Sequence, residues 1–232
     1  MSVYQNYVMI FIEMSSFLIF NTAFSEFELR FPKWIHIIWL FVMSLVGFII
    51  DGVFEQNFLG KQIVIIIVFI IGSIVIGKKS LKNAVIVSTL FDFIFLAADM
   101  ITILIDRDVF QIDMNGQSHI DAFVTLMSKS VLLIFVLIFK KIGSNRCFHI
   151  SGNRDVLFFS VFPLISSGAI AGVLKCGVGL KSESEIQFAW VVLVSLIAMN
   201  ILIIFFMDDL AEKAMLKQER LIFEMDAKRQ QE

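Results

Sequence analysis

A chain of 232 residues that is 58% hydrophobic, with a mean hydropathy of +0.87 and 26 phenylalanines, lies far outside the composition of soluble domains. A large soluble core is thereby excluded. The formal net charge is only −2, and neither a nucleic-acid partner nor a cofactor is expected.

Seven apolar runs follow one another, at roughly residues 3 to 24, 34 to 50, 62 to 77, 83 to 105, 119 to 139, 156 to 174 and 186 to 207. A helix needs about 20 mostly apolar residues to cross a bilayer, so six runs suffice as they stand and the third must borrow flanking residues. The expected fold class is all-α: a polytopic membrane protein with seven spanning helices over residues 1–207, followed by a cytoplasmic coiled-coil-like helix over 208–232. The first run lacks a basic leader and carries Glu13 at its middle, so it reads as a permanent helix rather than a cleaved signal.

Four ionisable residues interrupt the runs: Glu13 in the first, Asp92 and Asp99 in the fourth, Lys129 in the fifth. A charge at the centre of a spanning helix costs about 2.5–3.5 kcal/mol on insertion scales, so these side chains should turn inward and find partners. With antiparallel helices, Asp92 and Lys129 both fall near mid-depth, and Lys129 with Asp92 is the first choice of pair. Asp99 shares the face of Asp92 about 10 Å nearer the other end and is the second choice. Such a polar centre serves a signal or a transported ion or solute, or it is a static pair that fixes helix register.

The connector from Asp106 to Ile120, with a turn signal at Asn115-Gly116, is too short to be a binding domain. A ligand would therefore be held by short loops and the adjoining halves of helices, which suits a small, partly apolar molecule. In the sixth run Gly168 and Gly172, and likewise Ser167 and Ala171, stand four apart and permit close helix packing, while Pro163 predicts a bend. After Phe206 the chain has no Gly or Pro and is rich in helix formers, so the seventh helix should continue as a rod. Along it Ala211, Met215, Gln218, Ile222 and Met225 recur at four-three-four-three spacing, the seam of a coiled coil with one polar position, and a homodimer is expected.

Charge sets the orientation. Fourteen of the nineteen Lys and Arg residues fall in alternate connectors and the tail, among them Lys78, Lys79, Lys82, Lys140 and Lys141, whereas the opposite side has only Lys61, Arg107, Lys175 and Lys181. The positive-inside rule then puts the N-terminus outside and the C-terminus in the cytoplasm. The outer connectors set eight acidic residues, Asp51 and Glu55 among them, against those four basic ones. Cys147 and Cys176 fall on opposite sides, so they do not pair. Cys147-Phe148-His149 lacks an orienting partner for thiol catalysis, and no nucleotide or metal-ligand motif is present. Membrane-impermeant thiol labelling should modify Cys176 from outside and Cys147 only after permeabilisation; the reverse pattern would invert the map.

Taken in order, Lys78-Lys79-Ser80-Leu81-Lys82 ahead of an acidic fourth helix, Ser128-Lys129-Ser130 in the fifth, Lys140-Lys141 closing it, and Asn200 leading through Ile201-Leu202-Ile203-Ile204-Phe205-Phe206-Met207-Asp208 into the rod form a layout. It resembles the membrane sensor region of AgrC-type histidine kinases, peptide quorum-sensing receptors whose kinase part belongs to the GHKL group. The resemblance covers essentially the whole chain. It implies a bacterial cell-membrane receptor, a cyclic-peptide autoinducer as ligand, and transmission through the seventh helix into a dimeric rod. Family members continue into a phospho-accepting histidine and an ATP-binding domain. Here the histidines are His36, His119 and His149 and the sequence stops at Glu232, so a sensor module without catalytic activity is expected. A small-solute transporter or importer subunit accounts equally well for the intramembrane charges, though not for the rod. An intramembrane peptide-processing protease is weakened by the lack of a His-before-Cys arrangement.

Overall fold

The structure, a computed structural model, describes residues 3–23, 32–54, 57–77, 79–110, 118–143, 153–177 and 182–229. Seven helices carry them: α1 (Val3–Ala23), α2 (Lys33–Val53), α3 (Phe58–Gly77), α4 (Leu81–Ile105), α5 (Ser118–Gly143), α6 (Asn153–Gly177) and α7 (Glu183–Arg229). A π-helical turn, Asp106–Phe110, prolongs α4. Among the described residues there is no strand, and seven segments are long and apolar enough to cross a membrane. The protein is an all-α, multi-pass membrane protein.

Lipid removes the usual reason for burying apolar residues, so what distinguishes one helix from another is how many neighbours it packs against. In α4, 78% of the apolar window is buried, against at most 39% in any other span. It touches α1, α3, α5, α6 and α7 and is the axis of the bundle. The outer helices bury single stripes. In α3 the stripe is Gln62, Ile65, Phe69, Gly72, Ser73 and Ile76, at helical spacing, while Ile63, Ile67 and Ile71 stay exposed for lipid. α3 reaches spanning length by starting at Phe58, so that Lys61 and Gln62 lie inside the helix.

Polar contacts near the helix ends fix their relative directions. Asn6, early in α1, donates to Asp51, late in α2, at 2.7 Å. At the other end Ser73 donates to the side chain of Asn21 at 3.2 Å, and the ammonium of Lys79 donates to the Asn21 carbonyl at 2.9 Å. α1 therefore runs antiparallel to α2 and parallel to α3. Lys79 lies at the carbonyl end of α1, where a cation is favoured by the helix dipole. Burial nevertheless pushes its ammonium down to about 7. The bundle thus has an acidic end, where α1 begins, and a basic end, where Lys79 sits and α7 departs.

α7 begins with a capping box, in which Ser182 Oγ accepts from the Glu185 N–H at 3.3 Å and the Glu185 carboxylate accepts from the Ser182 N–H at 3.1 Å. It then runs unbroken for 47 residues. Among its described side chains Ala189, Leu193, Asn200, Ile203 and Ile204 are buried. Asn200 pins it to α6 by donating to Ser166 Oγ at 2.8 Å. In the rod Ile222 and Met225 are exposed, as is Phe223 at 77%. The side chains of Ala211, Met215 and Gln218 lie outside the described residues, as do those of Cys147 and Cys176 and the Asn115-Gly116 turn.

α6 corrects one expectation within the single chain. Ser167 and Ala171 are buried, but no atom lies within 4 Å of where a Cβ would stand on Gly168 or Gly172. The two pairs are adjacent stripes about 100° apart on one helix, and it is the Ser–Ala stripe that is turned inward. Glycine does permit close approach at Gly47 of α2, whose missing Cβ would lie 2.9 Å from the Met14 methyl of α1, and at Gly72 of α3, 3.1 Å from the Met43 methyl.

Candidate functional site

Three of the four intramembrane charges meet at one depth. Counted from the acidic end, Glu13 is ten residues into α1, Lys129 eleven into α5, and Asp99 eleven from the close of the π turn at Phe110. At 1.5 Å per residue each is about 15–17 Å in, near the middle of a hydrocarbon core about 30 Å thick. Lys129 Nζ lies 2.7 Å from Glu13 Oε1 and 3.3 Å from Asp99 Oδ1, and 4.6 Å above the ring of Phe95. Ser128 Oγ also donates to Asp99 Oδ1. One ammonium thus ties three helices together, sharing its charge between two carboxylates and a π face.

The expected pair of Lys129 with Asp92 is therefore corrected. The apolar run ends at Ile105, but the helix does not; the turn Asp106–Phe110 carries α4 onward and brings Asp99, not Asp92, level with Lys129. Asp92 is instead 1% exposed, beside the Ser167 hydroxyl of α6, and neither of its oxygens completes a hydrogen bond.

Above the bridge, toward the acidic end, lies an open cavity of about 620 Å³ counting its mouth. Glu13, Asp99 and Lys129 form its floor, and Asn6, Asp51, Lys61, Gln62 and Thr125 its walls. Met9, Ile10, Phe58, Ile65 and Phe95 supply apolar lining. Lys61 pairs with Asp51, which Asn6 also contacts. The carboxylates of Glu13 and Asp99 keep part of their surface open to this space. A molecule entering it meets charged and amide groups on one side and thioether and aromatic surface on another, the mixed chemistry of a small-ligand pocket.

Below the floor an aromatic cluster closes the bundle. Phe17 stacks on Phe69 with centroids 4.3 Å apart, and Phe91 meets Phe17, Phe69 and Phe20 edge-on or tilted at 5.2, 5.1 and 5.6 Å. Asn6, Asp51, Lys61, Gln62 and Thr125 were not singled out in the sequence as site residues. Their signal was available as polar residues clustered in the acidic-end turns of four helices. A second cavity, of about 810 Å³ between α4, α5 and α7, is almost wholly apolar. Asn200 is its exception, and it already donates to Ser166 and the Leu196 carbonyl.

Among the described residues no group of three or more His, Cys, Asp or Glu is placed to hold a metal ion. The geometry defines a multi-pass helical bundle with a polar cavity open at one end. No protein-family model, curated protein or solved structure gives a significant match to the chain.

Proposed function

We propose that this chain is a membrane signal receptor, resembling the sensor module of a quorum-sensing two-component histidine kinase, that admits a small peptide at the acidic end and signals through α7. One observation carries the reading. A cavity floored by a bridge between α1, α4 and α5 opens at one end of the bundle, while α7 leaves the other end as an uninterrupted rod. The excess of basic residues at the rod end supports an orientation with the rod in the cytoplasm and the cavity outside. A ligand biases the rod only through different affinities for two arrangements of the bundle, and a three-helix ion bridge at the cavity floor is an element it can rearrange.

The small-solute transporter remains the second reading, because mid-depth charges beside an open cavity serve it equally well. The rod separates the two. Single cysteines at 215 and 222 in a Cys-free background should cross-link between chains under mild oxidation, and one at 220 far less. Loosening the bridge by Asp99→Asn should change the ratio of cross-linking at 215 to that at 222 by about twofold or more. A rod that cross-links equally at all three positions, or whose pattern ignores the bridge, would move the assignment to a transporter.

A further inference from the structure

The α4–α6 contact holds a buried acid that the ion bridge does not use. Asp92 is 1% exposed at the centre of the most buried helix, and neither carboxylate oxygen has a hydrogen-bond partner. Lys129, the mid-depth cation of α5, is taken up by Glu13 and Asp99. An ionised carboxylate in hydrocarbon without a counter-charge is too costly to persist, so it carries either a proton or a bound cation.

The surrounding groups distinguish these. Serines in spanning helices normally turn their hydroxyl onto the carbonyl one turn back, and Ser15, Ser16, Ser44, Ser130 and Ser195 all do so here at 2.7–2.9 Å. Ser88, one turn below Asp92 on the same face of α4, does not, nor do Ser160 and Ser167 on α6. All three hydroxyls are buried and without a partner. Between the two α6 serines stands Pro163, which has no N–H to give the Phe159 carbonyl one turn back. Ser167 lies beside the Asp92 carboxyl, and since α4 and α6 both start from the basic end, Ser88 falls near the level of Pro163. A proton on Asp92 would let it donate to one acceptor and accept from one hydroxyl, leaving another hydroxyl and the freed carbonyl unmet. A cation would be met by a carboxylate, hydroxyl oxygens and a freed backbone carbonyl, the donors that hold alkali ions at broken or bent helices within membranes.

We infer that Asp92, with Ser88 and Ser167, forms a binding site for a monovalent alkali cation between α4 and α6. Charge selects the valence: one carboxylate neutralises a single positive charge, whereas a divalent ion would leave a net charge in the membrane core. Asp99 stands two turns nearer the acidic end on the same face of α4, so the site lies on the far side of the Lys129 bridge from the polar cavity.

The test reads ion binding and is independent of the receptor assignment. The full chain, purified in detergent, is melted in NaCl, in KCl and in choline chloride at equal ionic strength. Na+ or K+ should raise the melting temperature by about 3 °C or more over choline, with saturation, and whichever ion does so is the ligand. Asp92→Asn should abolish the dependence, and Ser167→Ala should raise the half-saturating concentration by roughly tenfold. If Asp92→Asn does not fold, Ser167→Ala and Ser88→Ala decide through that midpoint. Identical melting of the wild-type chain in all three salts would overturn the proposal in favour of a neutral, protonated Asp92. So would an ion effect that survives Asp92→Asn or is unmoved in both serine variants.

Discussion

Lys129→Met should be the most damaging single change in the bundle, lowering stability by about 3 kcal/mol. Removing one partner of a buried ion pair costs about 3–5 kcal/mol, chiefly because the remaining charge is stranded. Here the lower figure applies, since Glu13 and Asp99 both retain some surface in the cavity and hydrate when released. Most of the loss should return when Glu13→Gln and Asp99→Asn are added, because a neutral floor no longer needs the ammonium. Equilibrium unfolding in mixed detergent, arranged as double-mutant cycles, checks the wiring. Lys129 should couple to Glu13 and to Asp99 by more than about 1 kcal/mol each, and its effect should be additive with Asp92→Asn. Coupling to Asp92 instead would restore the pairing first read from the sequence.

That pairing shows where sequence reading reaches its limit in this chain. The existence of seven spanning helices was legible because lipid demands internally bonded helices of about 20 apolar residues, whatever their neighbours do. Helix ends were less legible, because the same demand says nothing about polar residues that face a cavity. Lys61 looked like a connector by composition, yet it lies inside α3, one residue before the buried Gln62. Asp106 looked like the first residue of a loop, yet it opens a π turn that continues α4. A few residues of helix decide which of Asp92 and Asp99 lies level with Lys129, so an error at an end became an error at the centre.

The faces of α6 were ambiguous for a related reason. Four-residue spacing of small side chains marks both the Ser167–Ala171 and the Gly168–Gly172 stripe, and only packing against α4 selects the first. The rod was easier: a stretch of helix formers without Gly or Pro needs no tertiary contact to be read, and α7 indeed passes Phe206 without a break. The cavity walls were legible only as polar residues near the acidic-end turns, not as one site. Asn6, Asp51, Lys61 and Thr125 stand on four different helices, and no pattern along the chain joins them.

The aromatic cluster was equally hidden, since 26 phenylalanines give no hint of which few meet. It carries the second large effect. Phe91 is 0% exposed and in ring contact with Phe17, Phe20 and Phe69, which belong to α1 and α3, so it is where those helices are held against α4. In a soluble core Phe→Ala costs about 3–5 kcal/mol through lost transfer energy and lost packing together. In lipid the transfer part largely disappears, because tails are as apolar as the core, and only contacts and the residual void remain. Phe91→Ala should therefore cost about 2–3 kcal/mol, while Phe206→Ala, at 61% exposed on α7, should cost under about 0.5 kcal/mol. In the same variant Phe17, one turn below Glu13 on α1, would lose its edge contact with Phe91. Equal destabilisation by Phe91→Ala and Phe206→Ala would mean that burial against lipid rather than ring packing sets the stability of this bundle, and that the cluster is not the seal beneath the cavity.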